Sequence, residues 1–252
     1  MGGSDDSGSG DKSLDIFGVK PVGQAALKVT EATVDGAGEF LSRICLPAAE
    51  EFGLLLQDRV RVWRSDQMLK LTVRSQKKYQ EAFGNAKRHA HPRLVSAILE
   101  HGSWEDDAQI QDLWAGLLAA SCTADGKSQE TLIFINLLKD MTSPEAKLIA
   151  FLAGKCAKRK TKTGLILSES TFFSTPDLFE VTGVNDIHVL DIMIDHLHQL
   201  GMLDVGSSLA TDGLELHSLS IAALALHFYS RCMAPGKSVF EFYDVKDPPN
   251  GG

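Results

Sequence analysis

No stretch of this 252-residue chain approaches the roughly 20 uninterrupted apolar residues that a membrane-spanning helix requires. A stable span is therefore not expected. Cysteine is scarce as well. Cys45, Cys122, Cys156 and Cys232 are far apart, form no CxxC or Cys/His cluster, and follow no apolar signal-like segment. That pattern argues against a disulfide framework and a local zinc site, and it predicts buried thiols in a reducing cytoplasm. Catalytic signatures are missing too. There is no P-loop, GxGxxG or HExxH, and no visible Ser-His-Asp or Cys-His arrangement. No catalytic residue, metal ligand or cofactor is assigned; a site assembled only in space stays open.

What the chain does have is charge sorted by sign. Residues 54–93 carry ten Lys/Arg against three Asp/Glu, whereas residues 94–152 carry three against nine. Residues 155–163 then hold five cations and no acid, and residues 164–252 hold three cations and twelve acids. A face of one sign attracts the other, so the pattern points to binding rather than to chemistry.

The expected fold is mainly α: long N-terminal helices, a helical middle and a winged-helix-like C-terminal domain with a short β-hairpin. Residues 1–13, rich in Gly, Ser and Asp, read as a disordered tail. Residues 14–140 read as a helical domain, 141–240 as the winged-helix-like domain and 241–252 as a C-terminal tail. Residues 16–46 have a helical apolar stripe built largely of small side chains, with charged residues on the other faces. Packing within the chain, self-association and contact with a membrane interface all suit it. Val29, Phe40 and Ile44 are its association candidates.

Pro47 opens a second helix that runs to Phe83, with Gly84-Asn85 as a left-handed stop and Ser65-Asp66 as a candidate break. It carries Arg59, Arg61, Arg64, Lys70, Arg74, Lys77 and Lys78, candidates for binding a protein or nucleic-acid partner. Replacing Arg61, Arg64, Arg74 and Lys78 with Glu is expected to leave folding intact and abolish function. Further helices are expected over 92–101, from an N-cap at Ser103 with Glu105, Asp106 and Asp107 in the first turn, and over 129–138. Ser143-Pro144-Glu145 starts another, ending at Lys158; the basic run after it adds Lys158, Arg159 and Lys160 to the binding candidates.

The C-terminal order then predicts a strand at 165–167, helices over 176–181 and 185–200, a hairpin of 202–205 with 214–217, and a closing helix over 218–232. The 185–200 helix occupies the place where a helix-turn-helix protein enters the major groove, yet it carries Asp186, Asp191 and Asp195 with no Lys or Arg. Phosphate would repel it, so sequence-specific DNA reading through this helix is rejected. His188, His196 and His198 have no metal-site spacing.

Several segments together resemble a known family. They are Gly53-Leu54-Leu55-Leu56-Gln57-Asp58 leading to Arg61-Val62-Trp63-Arg64, and Gly102-Ser103-Trp104-Glu105-Asp106-Asp107 before Asp112-Leu113-Trp114-Ala115-Gly116-Leu117-Leu118-Ala119. Met141-Thr142-Ser143-Pro144-Glu145-Ala146 follows. In these the chain is similar to the bacterial abortive-infection alpha family, with weaker likeness around Leu200-Gly201-Met202-Leu203 and residues 219–232. The resemblance implies a bacterial or prophage-borne, cytoplasmic, mostly helical antiviral defence protein. It transfers no catalytic residue.

The leading expectation is a non-enzymatic, abortive-infection-type protein that binds a phage, host or operon-encoded protein, or itself, and acts through protein association as a homo-oligomer. The alternative is a nucleic-acid-binding protein of a defence or regulatory system, using residues 59–78 and 155–162.

Overall fold

The computed structural model describes residues 39–40, 42–43, 59–204, 207 and 216–245. The expected tail, the start of the second helix at Pro47 and most of the 16–46 stripe lie outside these residues.

Helix α1, Arg59–Phe83, is unbroken at Ser65-Asp66. Both polar side chains are satisfied within the helix: Ser65 Oγ donates to Arg61 O at 2.6 Å, and Asp66 pairs with Lys70 one turn on at 2.6 Å. The helix stops at Gly84, whose φ of 56° suits a residue without Cβ. Just past the stop, Tyr79 Oη donates to Ala86 O and accepts from Arg88 N, pinning the exit.

Helix α2, Pro92–Gly102, starts on a proline as expected. Gly102, read as a stop, is instead the last helical residue. Ser103 does not start the next helix; it caps the end of α2, its amide donating to Leu99 O and His101 O. Its hydroxyl accepts from Arg64 and donates to Glu100 O, leaving it no role as an N-cap. Helix α3, Ala108–Ala120, is capped by Asp107, whose carboxylate accepts from the amides of Gln109 and Ile110. Glu105 and Asp106 thus lie in the connector. Burial opposes ionisation of Asp107, but the hydrogen bond from Lys147 and the two amides outweigh it, so its pKa falls below the ordinary value.

Residues Ile110, Gln111 and Leu113–Ala119 of α3 are all buried, the pattern of a central helix. It packs between α1 on one side and α8, Ala223–Met233, on another. Strands β1, His89–Ala90, and β2, Cys122–Thr123, pair antiparallel beside it, and α4, Thr131–Asp140, follows.

Helix α5, Ser143–Lys155, begins with a capping box in which Thr142 and Glu145 satisfy each other's amides. The basic run is not the end of this helix. It forms strand β3, Lys158–Lys160, antiparallel to β4, Ile166–Ser168, around a turn with Gly164 at φ 83°. Strand β5, Thr171–Ser174, leads into α6, Thr175–Thr182, and α7, Ile187–Gln199, follows.

Strand β6, Leu216–Leu219, pairs with β5, a partner the expected hairpin lacked. Leu203 bridges Ile221, and Asp204 N donates to Ser220 O, so the 202–204 segment pairs beyond the expected 214–217 stretch. Ser218 is therefore strand, and the closing helix α8 starts at Ala223. A last helix, α9, Val239–Tyr243, extends past the boundary expected at residue 240.

The described chain is mainly helical, with short antiparallel strand pairs. No helix among the described residues is long and apolar enough to cross a membrane. Cys122, Cys156 and Cys232 are buried, and burial pushes the Cys232 thiol well up. All three are expected to resist a thiol reagent in the native protein and to react on unfolding, which time-resolved labelling checks residue by residue.

Candidate functional site

The opposite-sign blocks of the sequence meet inside the fold. Arg64 of α1 donates to the Glu100 carboxylate of α2 at 2.9 Å, and its guanidinium lies 4.2 Å from the centre of the Trp104 ring. Lys78, with a side chain only 12% exposed, pairs with Asp112 of α3 at 2.9 Å. Arg74 donates to Ala108 O at the start of α3. Lys70 is taken by Asp66, and Lys77 stands 3.9 Å from Glu81 on an exposed turn.

Arg61 is half-buried, with Nη1 lacking a partner among the described residues. Arg59 begins α1. Between α1 and α3, a shallow cleft of about 240 Å³ is lined by Arg74, Lys77, Lys78, Glu81 and Asp112, so its cations are nearly matched by acids.

Reversing Arg61, Arg64, Arg74 and Lys78 together would set new carboxylates against Glu100 and Asp112. That fourfold change would alter the fold as well as the face, contrary to the expectation from sequence, because a broken pair leaves its partner uncompensated.

The basic run divides by strand alternation. Lys158 and Lys160 lie over the rings of Tyr243 and Phe240, each 4.9 Å from the ring centre, while Arg159 points elsewhere and is exposed. Burial lowers the pKa of Lys158. Phe40, the described association candidate, is 2% exposed and packs edge-on against Tyr79 at a centroid distance of 5.8 Å. Association through it would require those rings to part. Val29 and Ile44 lie outside the described residues.

Among the described residues no group of three or more His, Cys, Asp or Glu could hold a metal ion. His196 Nδ1 instead donates to the buried Glu145 carboxylate at 2.7 Å, tying α7 to the start of α5.

Helix α7, whose acids the sequence offered as a binding face, also carries exposed apolar side chains that the sequence reading did not single out. Leu190, Met193, Ile194 and Leu197 are buried, while Val189 and Ile192, 43% and 67% exposed, face solvent. Asp186, Asp191 and Asp195 are exposed on the same helix, and no Lys or Arg occurs in it. The signal was there in Ile187-His188-Val189-Leu190-Asp191-Ile192: Val189 and Ile192 fall off the stripe of Leu190, Ile194 and Leu197, so one core contact cannot cover them all. A second exposed apolar group joins Val62, Trp63 and Trp104, the two indoles 6.4 Å apart.

Among curated proteins and among solved structures, none matches the chain. The family described as abortive infection alpha matches residues 66–222, more than half of the sequence. That span holds α2, the Asp107-capped central helix, the capping box at Thr142 and α7, and on this match the chain belongs to the abortive infection alpha family, which points to a role in abortive-infection defence.

Proposed function

We propose that the chain acts in abortive-infection defence as a non-enzymatic protein that binds a protein partner through the solvent face of α7. The observation that carries this reading is the exposure of Val189 and Ile192 beside Asp191 and Asp195 on a helix without a cation. Apolar side chains left in water on a well-packed helix favour a covering partner, and the surrounding acids favour one with a cationic rim. Nucleic acid suits the surface poorly, because its phosphates would meet carboxylates. The pairing of Arg64 and Lys78 with Glu100 and Asp112 also withdraws two of the α1 cations from phosphate.

A winged-helix-like reading of the C-terminal half is part of the proposal. Its support is the order α5, the β3–β4 hairpin, β5, α6, α7, then a segment at Leu203 and strand β6, with β5 and Leu203 both adjoining the 216–221 stretch. In that arrangement α7 stands where a recognition helix would, serving protein contact instead of DNA.

The test is a phage challenge of bacteria expressing the wild type or Ile192→Asp at equal levels, scored by plaque formation and culture survival. Loss of a central apolar anchor costs about 2 kcal/mol, roughly 30-fold in affinity, so protection should collapse while the circular dichroism spectrum is unchanged. Full protection by a well-folded Ile192→Asp protein would overturn the reading.

A further inference from the structure

The acidic apolar face of α7 has its chemical complement on the same chain, in the β3–β4 hairpin. Thr161 N donates to Leu165 O, and Leu165 N to Thr161 Oγ1, so these two residues face each other at the hairpin end. Arg159 is opposite Leu167. By strand alternation Arg159, Thr161, Leu165 and Leu167 share one face, while Lys158 and Lys160 lie on the other, against α9.

The outer face is apolar at its centre and carries Arg159, with Lys162 on the turn and the exposed Glu169, whose amide donates to Ala157 O, at the end away from the turn. Leu165 is 61% exposed; Arg159 and Lys162 are exposed, and no described carboxylate pairs with either. No Asp or Glu occurs between Lys155 and Ser168. On α7 the arrangement is the same with the sign reversed: Ile192 is 67% exposed, Asp191 and Asp195 are exposed, and no described cation pairs with either.

Resting on the reading of α7 as a docking face, we infer that its occupant is a second copy of this chain, whose β3–β4 hairpin seats Leu165 beside Ile192 with Arg159 and Lys162 against Asp191 and Asp195. A two-fold contact of α7 with α7 would set carboxylates against carboxylates, and hairpin on hairpin would set cations against cations. The complementary contact joins different surfaces: a single such contact leaves the pair with one free hairpin and one free α7, so assembly extends into a chain or closes as a ring, whose smallest form is a reciprocal two-fold dimer. Exposed charges contribute through a screened field, so the assembly weakens as salt rises.

The full chain tests this by sedimentation velocity. The wild type should gain mass with concentration and lose it with added salt. Leu165→Asp leaves α7 intact and Ile192→Asp leaves the hairpin intact, so each alone should remain monomeric. An equimolar mixture of the two should give dimers and nothing longer, because only one productive contact can form. Assembly of Leu165→Asp like the wild type, a mixture that stays monomeric, or a wild type monomeric at every concentration would overturn the inference. A monomeric wild type whose Ile192→Asp variant still loses phage protection would do so while leaving α7 as the docking face for a different protein.

Discussion

Gly116→Ala is expected to destabilise the protein by about 3 kcal/mol or more, although alanine normally favours a helix over glycine by about 1 kcal/mol. The sign reverses because of what the added methyl meets. A Cβ on Gly116 would lie 1.7 Å from Cys232 O, 2.4 Å from Cys232 C and 2.7 Å from its Cα. These are backbone atoms of α8 and cannot turn away as a side chain can. Helices α3 and α8 would have to separate at the centre of a core that includes Leu113, Leu117 and Phe228. Close-packed interiors do not absorb such a shift locally. Gly154, in the last turn of α5, is the control, since nothing lies within 4 Å of its Cβ position. Gly154→Ala should be neutral or stabilising by up to about 1 kcal/mol. Urea unfolding of both variants reads the contrast as a change in midpoint at constant slope. A Gly116→Ala midpoint equal to that of the wild type would mean that the two helices do not approach as described.

Gly116 also marks the limit of what could be read from the chain. It stands out in the Leu113-Trp114-Ala115-Gly116-Leu117 stretch, but nothing local says that a helix more than a hundred residues away crosses there. Features decided locally were legible: the prolines at 92, 144 and 176 lie at helix starts, and Gly84 and Gly201 follow helix ends with positive φ. Features decided by distant partners were not. Ser103 and Asp107 are both good caps in isolation, and the choice between them follows from Arg64 taking the Ser103 hydroxyl. The basic run reads as a helix end until β4 pairs with it and α9 supplies rings for Lys158 and Lys160. The charge blocks suggested external partners because counting along the chain cannot show that Glu100 and Asp112 face Arg64 and Lys78.

The Glu145–His196 contact links stability to the docking face, and Glu145→Ala should lower stability by roughly 2–4 kcal/mol. The Glu145 side chain is 3% exposed. One oxygen accepts from Thr142 N at 2.7 Å and Thr142 Oγ1 at 2.8 Å, and the other from His196 Nδ1 at 2.7 Å. Truncation therefore removes half of the α5 capping box, worth about 1 kcal/mol, and strands two donors, each worth about 1 kcal/mol or more. Glu145→Gln keeps the volume and one acceptor oxygen, so its loss should be smaller. His196→Ala removes only the link to α7. A double-mutant cycle between Glu145→Ala and His196→Ala should then show a coupling of about 1 kcal/mol, since the two side chains share one bond. Additive losses would mean that Glu145 acts on the cap alone. Because His196 is on α7 with Val189 and Ile192, loosening it also blurs the placement of the exposed face. His196→Ala should therefore weaken self-assembly even where the chain remains folded, whereas a purely structural role would leave the assembly of the folded fraction unchanged.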